Sequence, residues 1–416
     1  MTAPDDLDDP RRAVAWLRTP AAVRSRCGAI LTAAEHDRLR HFAFEPAQVA
    51  PAAQYVVDTI TAAYPDIEVP FHSRWRHFSV GEVDRWGRLA TALDGEPVDA
   101  IARSRIDLAV TSVLLDAGAG EQWRYRDDET GQVHGRSEGL AIASLNLFAN
   151  GALSAKAGAP LRADGAALAA IERPALAAAF QVTGDNPLIG MSGRVDLLRR
   201  LGQALGRRPD IFGAENPRVG NLLDHLLGRA RDGRLAAPVI LETVIAGLES
   251  VWPARIDIGG VNLGDVGRHP VVATGDLTDR LVPFHKLSQW LAYSLVEPLE
   301  AFGLVVTDLD GLTGLAEYRN GGLLVDTGVL VAKHRAVTEQ THAADSEVVV
   351  EWRALTVALL DRLAEQVRAR LGLDAAALPL VKVLEGGTWS AGRQIARSLR
   401  PDGAPPIRIV SDGTVF

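Results

Sequence analysis

The sequence predicts a mainly α fold, or an α+β fold with helix in excess. Three observations carry this expectation. Apolar residues recur at helical spacing along most of the chain, as in Val348, Trp352, Leu355, Leu359 and Leu363. Alternating stretches are few and short, the clearest being WRYRDDETGQVHGR at 123–136. The helical patterns are joined by Gly, Pro and Asn loops, with no repeat, low-complexity linker or break in composition. One domain over 1–416 is the simplest organisation, with a helical N-terminal part, 1–95, packed on a core of 96–416.

Composition narrows the function classes. The chain has 416 residues, 47% of them hydrophobic and 23% charged, which is a globular balance with enough apolar mass for a large core. A net charge of −8 argues against a nucleic-acid partner, because phosphate binding needs a basic field. Cys27 is the sole cysteine, which excludes internal disulfides and a four-thiolate metal site and fits a reducing compartment. No apolar run approaches the ~20 residues that span a bilayer. The start, MTAPDDLDDPRR, is acidic and has no apolar centre, so it does not read as a signal peptide. The expectation is a cytoplasmic protein without a membrane partner.

The elements follow in order. Residues 7–42 give one or two helices, interrupted at Pro20. Residues 44–64 give another, with Val56, Val57, Ile60 and Ala63 inward. In VPFHSRWRHF, 69–78, His72, Arg74, Arg76 and His77 alternate with Phe71, Trp75 and Phe78. Basic residues among aromatics grip an anionic or planar ligand; the plainer reading is a loop packed on its aromatics. His72 and His77 are five apart, which is not the i,i+4 spacing of a helical metal pair. A helix over 96–118 stops near Asp116, before Gly118 and Gly120. The stretch around Glu129-Thr130-Gly131 predicts a hairpin. SEGLAIASLNLFANG predicts a helix capped by Ser137, with Glu138 favourably placed in its first turn. From 163 to 250 short helices alternate with loops. DIGGVNLGDVGRHP, 257–270, is a turn-rich connection that lacks the lysine and hydroxyl of a phosphate-binding loop.

The richest stretch runs from Phe284 to Leu330. Leu287, Leu291 and Leu295 mark one face of a helix, and Lys286, Trp290, Tyr293 and Glu297 form a second row along it. Pro298 weakens or ends that helix. Glu317-Tyr318-Arg319-Asn320 then place an acid, a phenol, a guanidinium and an amide on successive residues. GLLVDTGVLV reads as a strand or as the start of a buried helix. A strong helix spans 346–372. In LEGGTWSAGRQIA, Gly386-Gly387-Thr388 precede a helix carrying Arg393, so free amides and an arginine suit an anion, or the glycines merely permit a turn. PPIRIVSDGTVF is too apolar for a disordered tail and is expected to pack.

These motifs carry a resemblance. PFHSRWRHF, FHKLSQWLAYSLVEPLE, LTGLAEYRNGGLLVDTGVL, VEWRALTVALLDRLA, LEGGTWSAGR and SDGTVF together resemble an uncharacterised-domain family tied to fungal and bacterial uracil catabolism. The resemblance covers nearly the whole chain. It implies a pathway that opens the pyrimidine ring of a uridine nucleotide, giving a ribosylurea-type intermediate from which urea is later released. A second, fainter pattern is similar to the queuosine-salvage N-glycosidases. Those show Phe, one residue, then Lys at a helix start, and an acid-Tyr-Arg triplet some thirty residues on. Here the positions read Phe284-His285-Lys286 and Glu317-Tyr318-Arg319. The segment WRYRDDETG…EGLAIASLNLF is similar in layout, as is the helix around Trp352. That resemblance implies a mainly helical fold similar to helix-hairpin-helix DNA glycosylases and the hydrolysis of a base from a ribose 5′-phosphate. The acid of those enzymes is aspartate; Glu317 keeps the chemistry on a longer arm. The residues that recognise the base do not transfer.

The physics fits such a reaction. Breaking an N-glycosidic bond builds positive charge on the sugar, which a carboxylate stabilises. A urea leaving group needs a proton or strong donor, which Lys286 or His285 could supply. The expectation is an N-ribosidase of uracil catabolism cleaving ribosylurea or its 5′-phosphate. Glu317 and Lys286 are its catalytic residues. His285, Tyr318, Arg319, His72, Arg74, Arg76, Asp116, Trp123, Glu138 and Arg393 are its substrate-binding candidates. No cofactor or metal is expected, and the ligand is a small ribosyl or ribosyl-phosphate compound; the sequence does not set the oligomeric state. Two rivals stand beside it. One is a metal-dependent amidohydrolase on the opened ring, with His72, His77 and His285 among the ligands. The other is a non-catalytic nucleotide-binding subunit.

Overall fold

The computed structural model describes residues 6–252 and 255–410, and these are mainly α-helical, with short strands and no barrel. In chain order the principal elements are α1 (Pro10–Leu17), α2 (Pro20–Glu35), β1 (Phe42–Phe44), α3 (Val49–Ala63), α4 (Arg74–Phe78), α5 (Val98–Leu114), β2 (Tyr125–Arg126), β3 (Val133–His134), α6 (Arg136–Ala149), α7 (Met191–Arg207), α8 (Leu222–Arg229), α9 (Ala237–Gly247), β4 (Val266–Arg268), β5 (Leu281–Pro283), α10 (Lys286–Phe302), α11 (Tyr318–Asp326), β6 (Leu330–Ala332), α12 (Glu347–Leu371) and α13 (Ser390–Leu399). By their internal contacts the residues group into two compact units. The first holds 6–72, 255–289 and 308–410, and the second holds 73–252 and 290–307. The sequence reads as one domain with an N-terminal part over 1–95; the grouping by internal contacts changes at 72/73 and again inside α10.

In the first unit α12 is the central helix, packed against α2 and α3. Val348, Trp352, Leu355, Leu359 and Leu363 are all buried on it, as its periodicity predicts. It ends at Gly372 in the left-handed conformation that glycine adopts without penalty. Pro20 separates α1 from α2 because it starts a helix well: it occupies the first position of α2, where the missing N–H is no loss. Thr19 Oγ1 accepts the Ala22 N–H at 3.1 Å. β1 pairs antiparallel with β6, Phe42 opposite Ala332. β4 pairs with β5, Val266 opposite Pro283, and α1 packs its Ala13, Val14 and Leu17 against Val266 and Leu281. GLLVDTGVLV thus divides: its first residues end helix α11 and Leu330–Val331 enter β6.

In the second unit α5 and α6 pack together, and the predicted hairpin forms as β2–β3, with Tyr125 opposite His134. Asp127 holds its turn, accepting from the Glu129 N–H and the Thr130 hydroxyl. Helix α6 begins two residues earlier than expected, with Gly135 as cap and Ser137 inside the first turn. Pro298 does not end α10, which runs on to Phe302. Proline removes the N–H that would bond the Ser294 carbonyl, and the Trp75 indole N–H takes that carbonyl instead at 3.0 Å. The terminal SDGTVF motif, 411–416, and the first five residues lie outside the described residues.

Candidate active site

Lys286 opens α10, and Asp265 sets its place. The Asp265 carboxylate accepts the Lys286 backbone N–H at 2.9 Å, capping the helix. Arg353 of α12 grips the same carboxylate with two N–H donors at 2.8 and 2.7 Å. Burial pushes the Asp265 acid up, but the Arg353 charge, its hydrogen bond and the Lys286 amide outweigh this and bring it down to about 2. The Asp265 carbonyl also accepts the backbone N–H groups of Phe284 and His285. The Arg353 guanidinium stacks 4.0 Å from the Phe284 ring centroid.

Glu317 precedes α11 as its N-cap. Its carboxylate accepts the N–H of Arg319 at 2.8 Å and of Asn320 at 2.5 Å. Burial raises its proton affinity; the two amides, then the charges of Lys286 and His72, lower it, and burial wins. Lys286 and His72 are therefore near enough for their charges to act on this carboxylate. Glycines let the surrounding helices close in. A Cβ on Gly321 would stand 2.7 Å from the Trp352 ring, and one on Gly392 would stand 2.3 Å from the Arg319 carbonyl oxygen. Asn320 accepts the Thr388 hydroxyl at 2.8 Å, tying α11 to the segment before α13.

That segment, Val383–Trp389, is π-helical and continues directly into α13. Gly386-Gly387-Thr388 thus lie inside a helical run, and the free amides expected there are absent. The glycines serve packing instead: a Cβ on Gly386 would meet Val69 Cγ1 at 2.7 Å, and one on Gly387 would meet Val56 Cγ1 at 2.7 Å. From this turn Glu385 Oε2 reaches His72 Nδ1 at 2.6 Å. The His72 ring lies 5.9 Å from Trp389, and Arg393 lies 4.7 Å over the same indole.

A family model described as a protein of unknown function, DUF1688, matches residues 16–416. The chain belongs to the DUF1688 family. It is 40% identical over 411 residues to "Protein urg3" of Schizosaccharomyces pombe, covering 97% of this chain and 99% of that one. It is 38% identical over 444 residues to "Uracil catabolism protein 4" of Lachancea kluyveri, covering 99% of this chain and all of that one.

In this DUF1688 chain the charges of Lys286 and His72 act on Glu317 within the first unit, and Arg393 lies beside the Trp389 ring that His72 also meets. Other candidates are committed elsewhere. His285 is buried with a positive φ, its Nε2 is 2.8 Å from the Leu17 carbonyl, and burial lowers its proton affinity. It is a packing residue rather than a donor to a leaving group. Arg319 donates to the Gly403 carbonyl at 2.8 Å and sits over the exposed Tyr318 ring, so it anchors the 400–404 turn.

In the second unit Arg74 is completely buried and forms an ion pair with Asp116 at 2.9 Å. It also donates to Ser112 Oγ at 2.7 Å and to the Ser137 carbonyl, and the Glu138 charge acts on it. Asp116 and Glu138 thereby become its counter-charges. Arg76 pairs with Glu297, which also takes the Ser73 hydroxyl. The arginines at 74 and 76 thus lie on α4 with acidic partners, not on a loop awaiting an anion. Trp123 has no exposed surface and gives its N–H to the Phe180 carbonyl, so it belongs to the core.

Sequence reasoning missed Glu385 and Asp265. Glu385 stands directly before the Gly-Gly of LEGGTW, a signal that the glycines obscured. Asp265 lay within what read as a mere turn. Buried Glu351 of α12 was also unforeseen; it accepts the N–H groups of His41 and Phe42 and lies 3.3 Å from His269. Among the described residues, the group spaced to hold a metal is His41, Glu347 and Glu351, not the His72, His77 and His285 of the amidohydrolase reading.

Proposed function

We propose that this protein is an N-ribosidase of uracil catabolism that hydrolyses ribosylurea, or its 5′-phosphate, to urea and the free sugar. One observation carries the reading. A carboxylate at the head of α11 is fixed by two backbone amides and desolvated enough for burial to dominate its titration, with the Lys286 and His72 charges acting on it. Glu317 and Lys286 are also the residues that the resemblance to the N-glycosidases aligns with that family's acid and lysine. The name of one relative, "Uracil catabolism protein 4", supplies the pathway.

The chemistry follows from the arrangement. The C1′–N bond breaks with its electron pair going to the urea nitrogen, which takes up a proton. Positive charge spreads over the sugar ring, and the Glu317 carboxylate stabilises it. Water forms the new C1′–O bond and passes a proton to Glu317. The Lys286 charge favours the ionised carboxylate against the burial that opposes it, while the Arg319 and Asn320 amides orient it. Arg393, beside Trp389, holds the 5′-phosphate when one is present.

The test is incubation with ribosylurea, its 5′-phosphate, uridine and UMP, assaying urea, uracil and reducing sugar. Release of urea and reducing sugar together from a ribosylurea is expected. Uracil release from uridine or UMP, or no release of urea at all, overturns the reading.

A further inference from the structure

We propose that His72 is the proton donor to the departing urea nitrogen and that Glu385 is the residue that positions it. The inference rests on the ribosidase reading above and names the group that serves its leaving-group side.

The 2.6 Å separation of His72 Nδ1 and Glu385 Oε2 is short for a nitrogen–oxygen hydrogen bond, and both side chains are mostly buried, 7% and 15% exposed. An ionised carboxylate only accepts, so Nδ1 carries the hydrogen between them. That fixes the tautomer of the neutral ring and directs the second proton to Nε2. The carboxylate also offsets the positive charge of the doubly protonated ring, the role the acid plays in a Ser-His-Asp triad. The His72 backbone is pinned as well, its N–H reaching the Val381 carbonyl at 3.1 Å. Glu385 projects from a π-helical turn, a rare local geometry that recurs at functional sites.

The charges around the ring sort the roles. Glu385 faces it from the π-turn, and Glu317 at the head of α11 feels its charge together with that of Lys286 at the head of α10. The reaction needs a base that is ionised and an acid that is protonated at the same pH. Glu317 takes the first role, and His72, held by Glu385, takes the second. In the step, the His72 Nε2 proton goes to the urea nitrogen as the C1′–N electron pair arrives there. Water bonds to C1′ and its proton goes to Glu317. Solvent exchange then returns one proton to His72 and removes one from Glu317, so the sum is hydrolysis.

The experiment compares two substrates. Ribosylurea has a poor leaving group that needs a proton, whereas 4-nitrophenyl riboside expels a stable anion and needs none. His72→Ala is expected to lose roughly 10²–10⁴-fold in kcat on ribosylurea but only a few-fold on the nitrophenyl compound. Added imidazole should restore part of the lost rate. Glu385→Gln should lose tenfold or more on ribosylurea, with little change in KM, and His72→Ala/Glu385→Gln should be no slower than His72→Ala alone. His72→Gln keeps a donor to Glu385 and cannot protonate, so it gives the same readout if the alanine variant does not fold. Equal losses on both substrates, or losses at the two positions that multiply, overturn the dyad while leaving the ribosidase reading intact. Failure of the wild-type protein to release urea from either ribosylurea overturns both.

Discussion

Glu317 Oε1 accepts the backbone N–H of Asn320 at 2.5 Å, so the proposed catalytic carboxylate is also the cap of helix α11. Glu317→Gln therefore touches two properties at once. The amide retains one acceptor and presents an NH₂ group to the other backbone N–H, so a capping loss of about 1 kcal/mol is expected. The loss of rate should be far larger, roughly 10²–10⁴-fold in kcat, because the amide neither stabilises an oxocarbenium nor takes a proton from water. Measuring kcat, ribose 5-phosphate affinity and Tm on one preparation separates the two. A kcat within a few-fold of wild type removes Glu317 from the chemistry.

Burial raises the proton affinity of Glu317 above that of an ordinary glutamate, about 4.3. The proposed mechanism requires the ionised form, so it predicts an acid limb of the kcat profile above pH ~4.3. The stability effect has the opposite sense. A raised carboxylate favours the folded state below its unfolded value and loses that contribution as pH rises through the folded one. Activity should thus fall on acidification before the fold does. An acid limb that coincides with unfolding, followed by circular dichroism across the same pH series, refutes this assignment.

Asp265 behaves in the other direction. Its folded value of about 2 lies below the ~3.9 of an unfolded aspartate, so its contribution is present above pH ~4 and is lost between there and pH ~2. Two units correspond to roughly 2–3 kcal/mol. Asp265→Asn should cost more at pH 7, about 3–5 kcal/mol, because it leaves the Arg353 charge buried without its partner. Urea midpoints of both proteins at pH 7 and pH 3 check this; a mutant penalty that does not shrink at pH 3 contradicts it.

Two arginines should differ. Arg393→Ala is expected to raise KM for ribosylurea 5′-phosphate several-fold and to leave the unphosphorylated compound nearly unchanged. Arg74→Ala should instead lower stability by about 3–5 kcal/mol, since it strands the buried Asp116 carboxylate. Equal KM changes for both substrates with Arg393→Ala would show that this arginine does not read the phosphate.

The glycines before α13 make a packing prediction. Gly386→Ala places a methyl group 2.7 Å from Val69 Cγ1 and 3.1 Å from the Tyr64 ring. Overpacking of this kind costs about 1–3 kcal/mol. Gly95→Ala carries a positive φ but meets nothing within 4 Å, so it reports backbone strain without a clash. Thermal unfolding of the two variants should show the larger loss at Gly386 if the close approach, rather than the backbone, is what demands glycine there.

The helices were legible because their information is local. The apolar period of α12, the proline at the start of α2 and the turn chemistry around Asp127 each act over a few residues, and each appears where the sequence placed it. Lys286 and Glu317, 31 residues apart, were singled out only by resemblance, and in the fold the Lys286 charge acts on Glu317. What the sequence by itself determined is therefore the mainly helical class and the family.

Tertiary structure decided which of the candidate residues are committed to one another. A lone sequence shows Arg74, Arg319 and Arg393 as equivalent cations. Only packing reveals that Asp116 neutralises the first and that the second donates to the Gly403 carbonyl. The same holds for His72 and His285, of which one meets Glu385 and the other a carbonyl of α1. The physical reason is range. Helix formation depends on neighbours three or four positions apart, whereas desolvation and charge pairing depend on partners such as Glu385, 313 residues from His72, which only the folded chain brings together.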